Sequence, residues 1–282
     1  MKSADLNILL ASLAVFALVF IIVPLAFPGT PLIVLFINAM TIFVAWLAFI
    51  AHFRLWLFFS KNSPELANAW RFIAAGFALW LLGEAAYAFF QIILNVELPY
   101  PSLADVPWLL GYAGFIAGMW LARPSKSYIE TPVAERVFVW GVGLIFAMFV
   151  IFMVLPDIMA SGAGPLEQMI SFAYPVGDVL LAVSALALFL RFSRHSTGLV
   201  WCLIAFGFMV FSGADLWFSS LTAQGSYYVG HPLDYIYAAA YVVQFLGPVW
   251  FVHTYGRDWG WDETKALLRN SEKRTGGRQG RA

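Results

Sequence analysis

Residues 99–120 read PYPSLADVPWLLGYAGFIAGMW, and this stretch indicates the fold class. Its first part supplies a polar helix start, in which Ser102 precedes Asp105 in an S-x-x-D pattern. Its second part is an apolar run that is too hydrophobic for the surface of a soluble protein. A weaker copy of the pattern recurs near the C-terminus. The stretch therefore predicts a membrane-embedded helix and an internal repeat.

The composition of the whole chain predicts an all-α integral membrane protein. Of its 282 residues, 62% are hydrophobic and only 11% are charged, and the mean hydropathy is +0.80. A soluble domain of this length would expose too much apolar surface. Cys202 is the only cysteine, so the chain cannot form an internal disulfide.

Eight apolar segments are long enough to cross a bilayer, which takes about 20 residues. We expect the first to be an anchor helix, because it is too long for a signal peptide and no small-x-small cleavage site follows it. Turns rich in proline and glycine separate most of the segments. The predicted spans are about 8–27, 32–53, 70–94, 104–122, 136–155, 168–191, 199–221 and 234–253.

The basic residues predict the orientation of the chain. All 16 lysines and arginines fall on one side when eight spans are drawn. By the positive-inside rule this side is the cytoplasm. We therefore expect a protein of the cell membrane with both termini in the cytoplasm. Residues 1–256 would form the transmembrane domain, and residues 257–282 a short cytoplasmic basic tail.

The tail has two interpretations. It anchors the topology and touches anionic lipid, or it is a docking peptide for a partner protein. The remaining basic residues are scattered over short loops, which gives no case for a nucleic-acid partner. The lipid bilayer is thus the first expected partner, and a protein in the membrane or at its cytoplasmic face is the second.

Spans 3–4 and spans 7–8 share a pattern. Both second helices read D-x6-Y-x5-G, beginning at Asp105 with Tyr112 and at Asp234 with Tyr241. Span 6 contains the similar sequence YPVGD, which ends at Asp178. We predict three tandem helical hairpins after an initial pair, each with a carboxylate near the outer start of its second helix. Binding sites in multi-pass proteins often lie between such repeats.

Asp105 and Asp234 have a structural interpretation that needs no ligand. Ser102 and Asp105 before an apolar run resemble a capping box, although Pro107 favours Asp105 itself as the helix cap. In both cases the carboxylate meets the positive end of the helix dipole. The same interpretation applies to Asp234.

The other embedded acids are harder to explain as caps. Asp178 is a first-turn residue if its helix starts after Pro175, but lies several turns inside a helix that starts near Glu167. Glu84 and Asp215 lie roughly 15 Å and roughly 9 Å below the outer ends of their spans. An ionised carboxylate at such depth is costly without a partner, and no lysine or arginine lies at that level.

These acids predict a ligand or ion site in the outer half of the membrane. The alternative is that the carboxyls are protonated or hydrogen-bonded and only join helices together. Tyr, Trp and Ser neighbours would supply the hydrogen bonds. The candidate ligand or ion residues are Glu84, Asp105, Asp178, Asp215, Asp234, Tyr112 and Tyr174.

No motif predicts catalysis, a metal centre or a particular cofactor. The sequence has no G-x-S-x-G, HExxH or P-loop pattern. His52 and His253 both lie near the cytoplasmic ends of their spans, whereas a bis-histidine haem prefers two histidines facing each other within the bilayer. No lysine occurs inside a span, which excludes a retinal Schiff base.

Three motifs resemble a known kind of membrane module. They are PSLADxxxLLGY at 101–112, YPVGDVLL at 174–181, and GADLW followed by LDYIY near the C-terminus. They are similar to the multi-pass region found ahead of PAS, histidine-kinase and GGDEF/EAL output domains in bacteria and archaea. The resemblance implies a sensory input module with Asp105, Asp178, Asp215 and Asp234 at recurring acidic positions. Only a short tail follows Tyr255, so we expect this chain to act through a partner.

Three functions follow as hypotheses. The first is a non-enzymatic sensory or accessory subunit that receives a signal at an acidic, outward-facing cavity. The second is a transporter or channel in which Glu84 and Asp215 handle protons or cations. The third is a structural subunit of a larger membrane complex.

Overall fold

The computed structural model describes residues 22–23, 26–27, 30–61, 63–96, 98–122, 132–193 and 198–255. This part of the chain is helical throughout and contains no strand. Six of its helices are long and apolar enough to cross a membrane, so the chain is a helical multi-pass membrane protein. Most of the predicted first span and the predicted basic tail lie outside the described residues.

The remaining predicted spans correspond to helices of the structure, with ends that differ by a few residues. Several helices begin with proline, whose missing N–H and fixed φ suit the first helical position. The helix that begins at Asp105 has 17 residues. The helices are α1 (Pro31–Ser60), α2 (Pro64–Ala88), α3 (Asp105–Leu121), α4 (Val133–Phe149), α5 (Leu155–Ala160), α6 (Pro165–Phe192), α7 (Leu199–Ala223) and α8 (Pro232–Tyr255); π-helical stretches Phe89–Ile93 and Val150–Val154 extend α2 and join α4 to α5.

Six of these helices pack as a closed ring. Each helix in the series α1, α2, α3, α6, α7, α8 packs against the next, and α8 returns to α1. The helices α4 and α5 lie outside the ring, where they pack mainly against α6. Only 11% of the most apolar window of this outer segment is buried in the protein. The ring therefore contains the core, and the outer segment faces the surroundings.

The ring consists of two similar three-helix units, α1–α3 and α6–α8. Trp70, Ile73, Gly76 and Phe77 of α2 recur in α7 at one constant separation. Their counterparts there are Trp201, Ile204, Gly207 and Phe208. The first helices of the two units match in their buried positions, since Ala45, Ala48, Leu55 and Phe59 correspond to Asp178, Leu181, Leu188 and Phe192.

Matching residues of the two units make matching contacts. Phe59 stacks on Trp70 with 5.9 Å between ring centroids, and Phe192 stacks on Trp201 with 5.2 Å. Trp70 and Trp201 also stack on each other, with 4.3 Å between their centroids. Contact between two equivalent residues indicates that they lie close to a two-fold pseudo-symmetry axis. The core is thus an internal duplication whose halves meet along this axis.

The duplication also explains the outer segment. Two units related by an axis along the membrane normal run in the same direction, so α6 must begin at the end where α1 begins. An odd number of helices takes the chain to the opposite end. The segment α4–α5 carries it back before the second unit starts.

One of the two placements predicted for Asp178, in the first turn of its helix, is wrong. Since α6 begins at Pro165, Asp178 lies more than three turns inside it, as the other placement had it. Pro175 does not end the helix, and prolines are tolerated inside membrane helices where neighbours satisfy the freed carbonyl. The repeating unit is therefore three helices long, and Asp178 belongs to the first helix of its unit.

Candidate functional site

Asp105 ties the start of α3 to α6. Its Oδ2 accepts hydrogen bonds from the Ser102 backbone N–H (2.6 Å) and from the Ser102 hydroxyl, and Ser102 Oγ is 3.1 Å from the Ala104 nitrogen. This is the reciprocal pattern of a capping box. The Tyr174 hydroxyl donates to the other oxygen, Oδ1, over 2.7 Å. Asp105 is therefore buried as a helix cap that also binds a tyrosine of the second unit.

Asp234 plays a matching part at the start of α8. His231 Nδ1 accepts from the Leu233 N–H, and Asp234 Oδ2 accepts from the Gly230 N–H over 2.7 Å. The Tyr227 hydroxyl donates to Oδ1 over 3.0 Å. Burial raises the pKa of the Tyr227 phenol, so this donor keeps its proton. Both first-turn acids thus combine a backbone cap with one tyrosine.

Two tyrosines cross reciprocally between the units. Tyr112 of the first unit donates to Asp215 Oδ2 of the second over 2.9 Å. Tyr241 of the second donates to Glu84 Oε1 of the first over 3.0 Å. Glu84 matches Asp215 at the separation that pairs Trp70 with Trp201, and Tyr112 matches Tyr241 at the separation that pairs Asp105 with Asp234. The pseudo-symmetry axis therefore relates one carboxyl–tyrosine bond to the other.

Each of these acids also has a donor from its own hairpin. Tyr237 donates to Asp215 Oδ1 over 2.5 Å. The indole of Trp108, which occupies the position matching Tyr237, lies near Glu84 and directly over Gly83. A Cβ on residue 83 would lie 2.4 Å from Trp108 Nε1, so this approach requires glycine. Each acid therefore lies between two aromatic donors.

Asp178 breaks the two-fold equivalence. Its Oδ1 is 2.6 Å from the Tyr112 hydroxyl, and its carboxyl contacts that of Asp215. The matching residue of the first unit is Ala45, which has no polar side chain. Tyr112 has one hydroxyl proton and two carboxyl neighbours, so a second proton is needed for every contact to be a hydrogen bond. This second proton must come from one of the carboxyls.

We refer to Glu84, Asp178, Asp215, Tyr112, Tyr237 and Tyr241 as the carboxyl–tyrosine cluster. Asp178 is 1% exposed, whereas Glu84 and Asp215 keep some accessible surface. The hydrogen bonds described for its carboxyls come from tyrosine, and none comes from lysine or arginine. Within the described residues, no group of three or more His, Cys, Asp or Glu side chains is arranged to hold a metal ion. The chemistry of the cluster is therefore that of shared protons and oxygen ligands.

The structure brings some of the predicted site residues together and places the others apart, at the helix starts. Asp178, Asp215 and Tyr112 meet directly, whereas Glu84 has a separate hydrogen bond from Tyr241. Asp105 with Tyr174, and Asp234, belong to the helix starts. Trp108, Tyr237 and Tyr241 were not predicted as site residues from the sequence. Tyr241 had a signal in the D-x6-Y pattern, and Tyr237 lies one turn before it on the same helix face.

A second polar chain links α1 to the end of α2. Asn38 Nδ2 donates to Gln91 Oε1 over 3.0 Å, and Gln91 Nε2 donates to the Tyr87 hydroxyl over 2.6 Å. The Tyr87 hydroxyl lies near that of Tyr227, the donor to Asp234. Polar side chains thus gather near the start of α8. These contacts were not predicted from the sequence.

The histidine considered for haem ligation lies elsewhere. His52 is buried in α1, its Nδ1 donates to the Ala48 carbonyl over 2.8 Å, and its ring stacks on Phe77. Its Nε2 has no hydrogen-bond partner. Two aromatic rings, those of Trp70 and Phe77, lie within 6 Å of its centroid. The environment of His52 is thus an aromatic core.

Comparisons with known protein families, with curated proteins and with solved structures find no match for this chain. The geometry of the carboxyl–tyrosine cluster and of the duplicated ring is therefore the basis on which a function is assigned.

Proposed function

We propose that this chain is a non-enzymatic sensory or accessory membrane protein whose input is the protonation or cation occupancy of the carboxyl–tyrosine cluster. The signal is a change in the packing of the two three-helix units. A partner protein reads this change at the opposite, basic end of the ring. The proposal includes eight spans, both termini in the cytoplasm, and the kind of sensory module that the sequence motifs resemble.

The reciprocal tyrosine bonds carry this proposal. Tyr112–Asp215 and Tyr241–Glu84 join the two units reciprocally, beside the Tyr174–Asp105 bond at the start of α3. A carboxylate and a carboxylic acid offer different partners to a tyrosine hydroxyl, because only the acid also donates. Adding or removing a proton or a cation therefore changes the hydrogen bonds that join the two units. A two-state element that a ligand biases is the basis of a sensor.

The charge distribution supports the direction of the signal. Arg54, Lys61, Arg71 and Arg191 lie near the ends of α1, α2 and α6 that are opposite to the cluster. Positive charge at that end favours the cytoplasm and offers a surface for an acidic partner. The cluster would then lie in the outer half of the membrane. Its two partly exposed acids are the expected point of access from outside.

Distance measurements between the two units test the proposal. Ser60 and Ser193 are exposed, end α1 and α6 respectively, and occupy matching positions. Spin labels on cysteines at both sites, with the native Cys202→Ser, report the separation of the units at the basic end. We expect the label distance to change by about 2 Å or more between about pH 8 and about pH 5, or on adding a monovalent cation.

Variants of the cluster give this experiment its controls. Asp178→Asn and Asp215→Asn should abolish the change, because the amide cannot titrate. Asp157→Asn is the matched control, since Asp157 is an exposed acid of α5 outside the cluster. A parent protein whose label distance is constant at every pH and salt composition would overturn the sensory proposal, as would a change that survives both cluster variants.

A second candidate is a proton- or cation-coupled transporter that uses Glu84 and Asp215. The direct contact of Asp178 with Asp215 favours it, because paired carboxyls with hydroxyl neighbours can pass a proton or hold a small cation. Proteoliposomes with the parent protein, Glu84→Gln and Asp215→Asn separate the two candidates. Absence of flux in the parent removes the transport hypothesis, whereas flux that both variants abolish favours it over sensing.

The structural-subunit hypothesis makes a different prediction. A chain that serves only as a subunit should co-purify with a stoichiometric partner and show no response in the label experiment. A stable lone protein that responds to protons contradicts it.

A further inference from the structure

A lateral cleft of about 320 Å³ lies between α3 and α6. This volume is within the range of small-ligand sites. One face of α3 and one face of α6 line it with four residues each, and Tyr112 provides the only hydroxyl. Ala113 and Leu180 are exposed at its opening. We propose that this cleft binds an acyl chain of a bilayer lipid.

The equivalent interface between the two units lies between α8 and α1. Several of its residues that match the lining of the cleft have larger side chains. Val44 stands where the cleft has Gly177, and Val242 stands where the cleft has Ala113. Val44 is 1% exposed, and Val242 packs against the core. The small residues that open the cleft are therefore particular to the α3–α6 interface.

The medium at the opening of the cleft indicates which kind of ligand it binds. The cleft opens sideways between helices of a membrane protein, so the medium at its opening is hydrocarbon. Its lining carries no charge, and the Tyr112 hydroxyl is engaged with Asp178 and Asp215. The lining positions 109–116 lie about 6–16 Å from the start of α3. This range matches one leaflet of a hydrocarbon core that is about 30 Å thick.

Tyr112 lines the cleft and is also a member of the carboxyl–tyrosine cluster. A Cβ on Gly177 would lie 3.1 Å from its ring, so this side of the cleft is in close contact with the ring. An acyl chain in the cleft acts on the residue whose hydroxyl joins Asp178 to Asp215. Lipid packing would thereby influence the cluster. This last step rests on the proposed function, whereas acyl-chain binding itself does not.

Photo-crosslinking of the full-length protein in bilayers tests the binding. The probe is a phospholipid that carries a diazirine in one acyl chain, diluted into unlabelled phospholipid. We expect labelling of peptides that contain 109–116 and 173–180. The outer helix α4 supplies the internal standard, because Leu144 and Ile145 are 62% and 69% exposed and report ordinary lipid contact.

Filling the cleft with the residues of the other interface gives the decisive variant. Ala113→Val and Ala173→Met introduce the side chains found at Val242 and Met40. We expect cleft labelling relative to α4 to fall by about tenfold, because added methyl groups exclude a ligand from an apolar site. Ala239→Val on an exposed position of α8 is the matched control and should leave the ratio unchanged.

Removal of bulk lipid from the parent protein provides a second measurement that needs no variant. When the bilayer is exchanged for detergent before illumination, labelling of the cleft peptides should persist, whereas labelling of α4 should fall because its lipid contacts are not retained. Equal loss of labelling in both regions overturns the proposal and means ordinary lipid contact. Undiminished labelling in a folded double variant overturns it as well. Either failure leaves the Ser60–Ser193 distance experiment intact, because that experiment uses no lipid probe.

Discussion

Replacing Tyr112 by phenylalanine should be the most damaging loss of a single hydroxyl in this protein. The hydroxyl contacts Asp178 over 2.6 Å and Asp215 over 2.9 Å, and both carboxyls lie on helices of the other unit. Hydrogen bonds that involve a charged group contribute about 1.5–3 kcal/mol, and Asp178 is too buried for water to replace the lost partner. We expect the free energy of unfolding to fall by about 2–4 kcal/mol.

Tyr241→Phe is the matched comparison, because it removes the equivalent hydroxyl. Tyr241 has one bond, of 3.0 Å, to Glu84, which keeps accessible surface and a second donor in Trp108. We expect this change to cost about 1 kcal/mol. In thermal unfolding in detergent, Tyr112→Phe should lower Tm by about 4–8 °C and Tyr241→Phe by about 2 °C. Tyr228→Phe, at a position that is 60% exposed, should leave Tm unchanged.

A double-mutant cycle identifies the cause of the larger effect. If Tyr112 acts through Asp178, the loss in an Asp178→Asn background should differ from the loss in the parent by about 1 kcal/mol or more. Equal Tm values for Tyr112→Phe and Tyr241→Phe would refute the reasoning, because the second carboxyl contact would then contribute nothing. A coupling close to zero would refute the assignment to Asp178.

Three further changes test the packing and the helix start by the same thermal unfolding measurement. Gly76→Ala should cost about 1–3 kcal/mol, because its Cβ would lie 2.5 Å from the Phe115 ring, whereas Gly213→Ala, with no atom within 4 Å, should be neutral or slightly stabilising. His52→Leu should be neutral or stabilising by about 1 kcal/mol, because it removes a buried ring nitrogen that has no partner. Asp105→Ala should cost about 1–2 kcal/mol through the lost cap, and an unchanged Tm would contradict the capping role.

The sequence predicted the features that depend on local chemistry. Long apolar runs bounded by proline and glycine predicted the helices, because a helix needs about 20 apolar residues to cross the hydrocarbon core of a bilayer. The S-x-x-D pattern predicted the cap at Asp105, since a capping box involves residues of one turn. The D-x6-Y pattern marked Tyr112 and Tyr241, which proved to be equivalent donors.

The contacts between distant helices were not predictable in the same way. The partner of Tyr112 depends on how α3 meets α6 and α7, and hydropathy carries no information on this packing. The sequence alone left Asp178 either in a first turn after Pro175 or several turns inside a helix, and the structure shows the second because Pro175 stays inside α6. The residues that α2 shares with α7 can be seen in the sequence. Only the stacking of Trp70 on Trp201 indicates that these residues lie beside an axis between the two units.

The two interfaces between the units differ in a way that structural roles alone do not explain. A duplicated ring that served only as a scaffold would gain nothing from having one interface filled and the other open. Asp178 replaces the Ala45 of the first unit, and Gly177 replaces Val44 at the neighbouring position. Both changes lie beside Tyr112, in the same α3–α6 interface. Two departures from equivalence thus lie beside the residue that joins Asp178 to Asp215, and they select this interface for experiment.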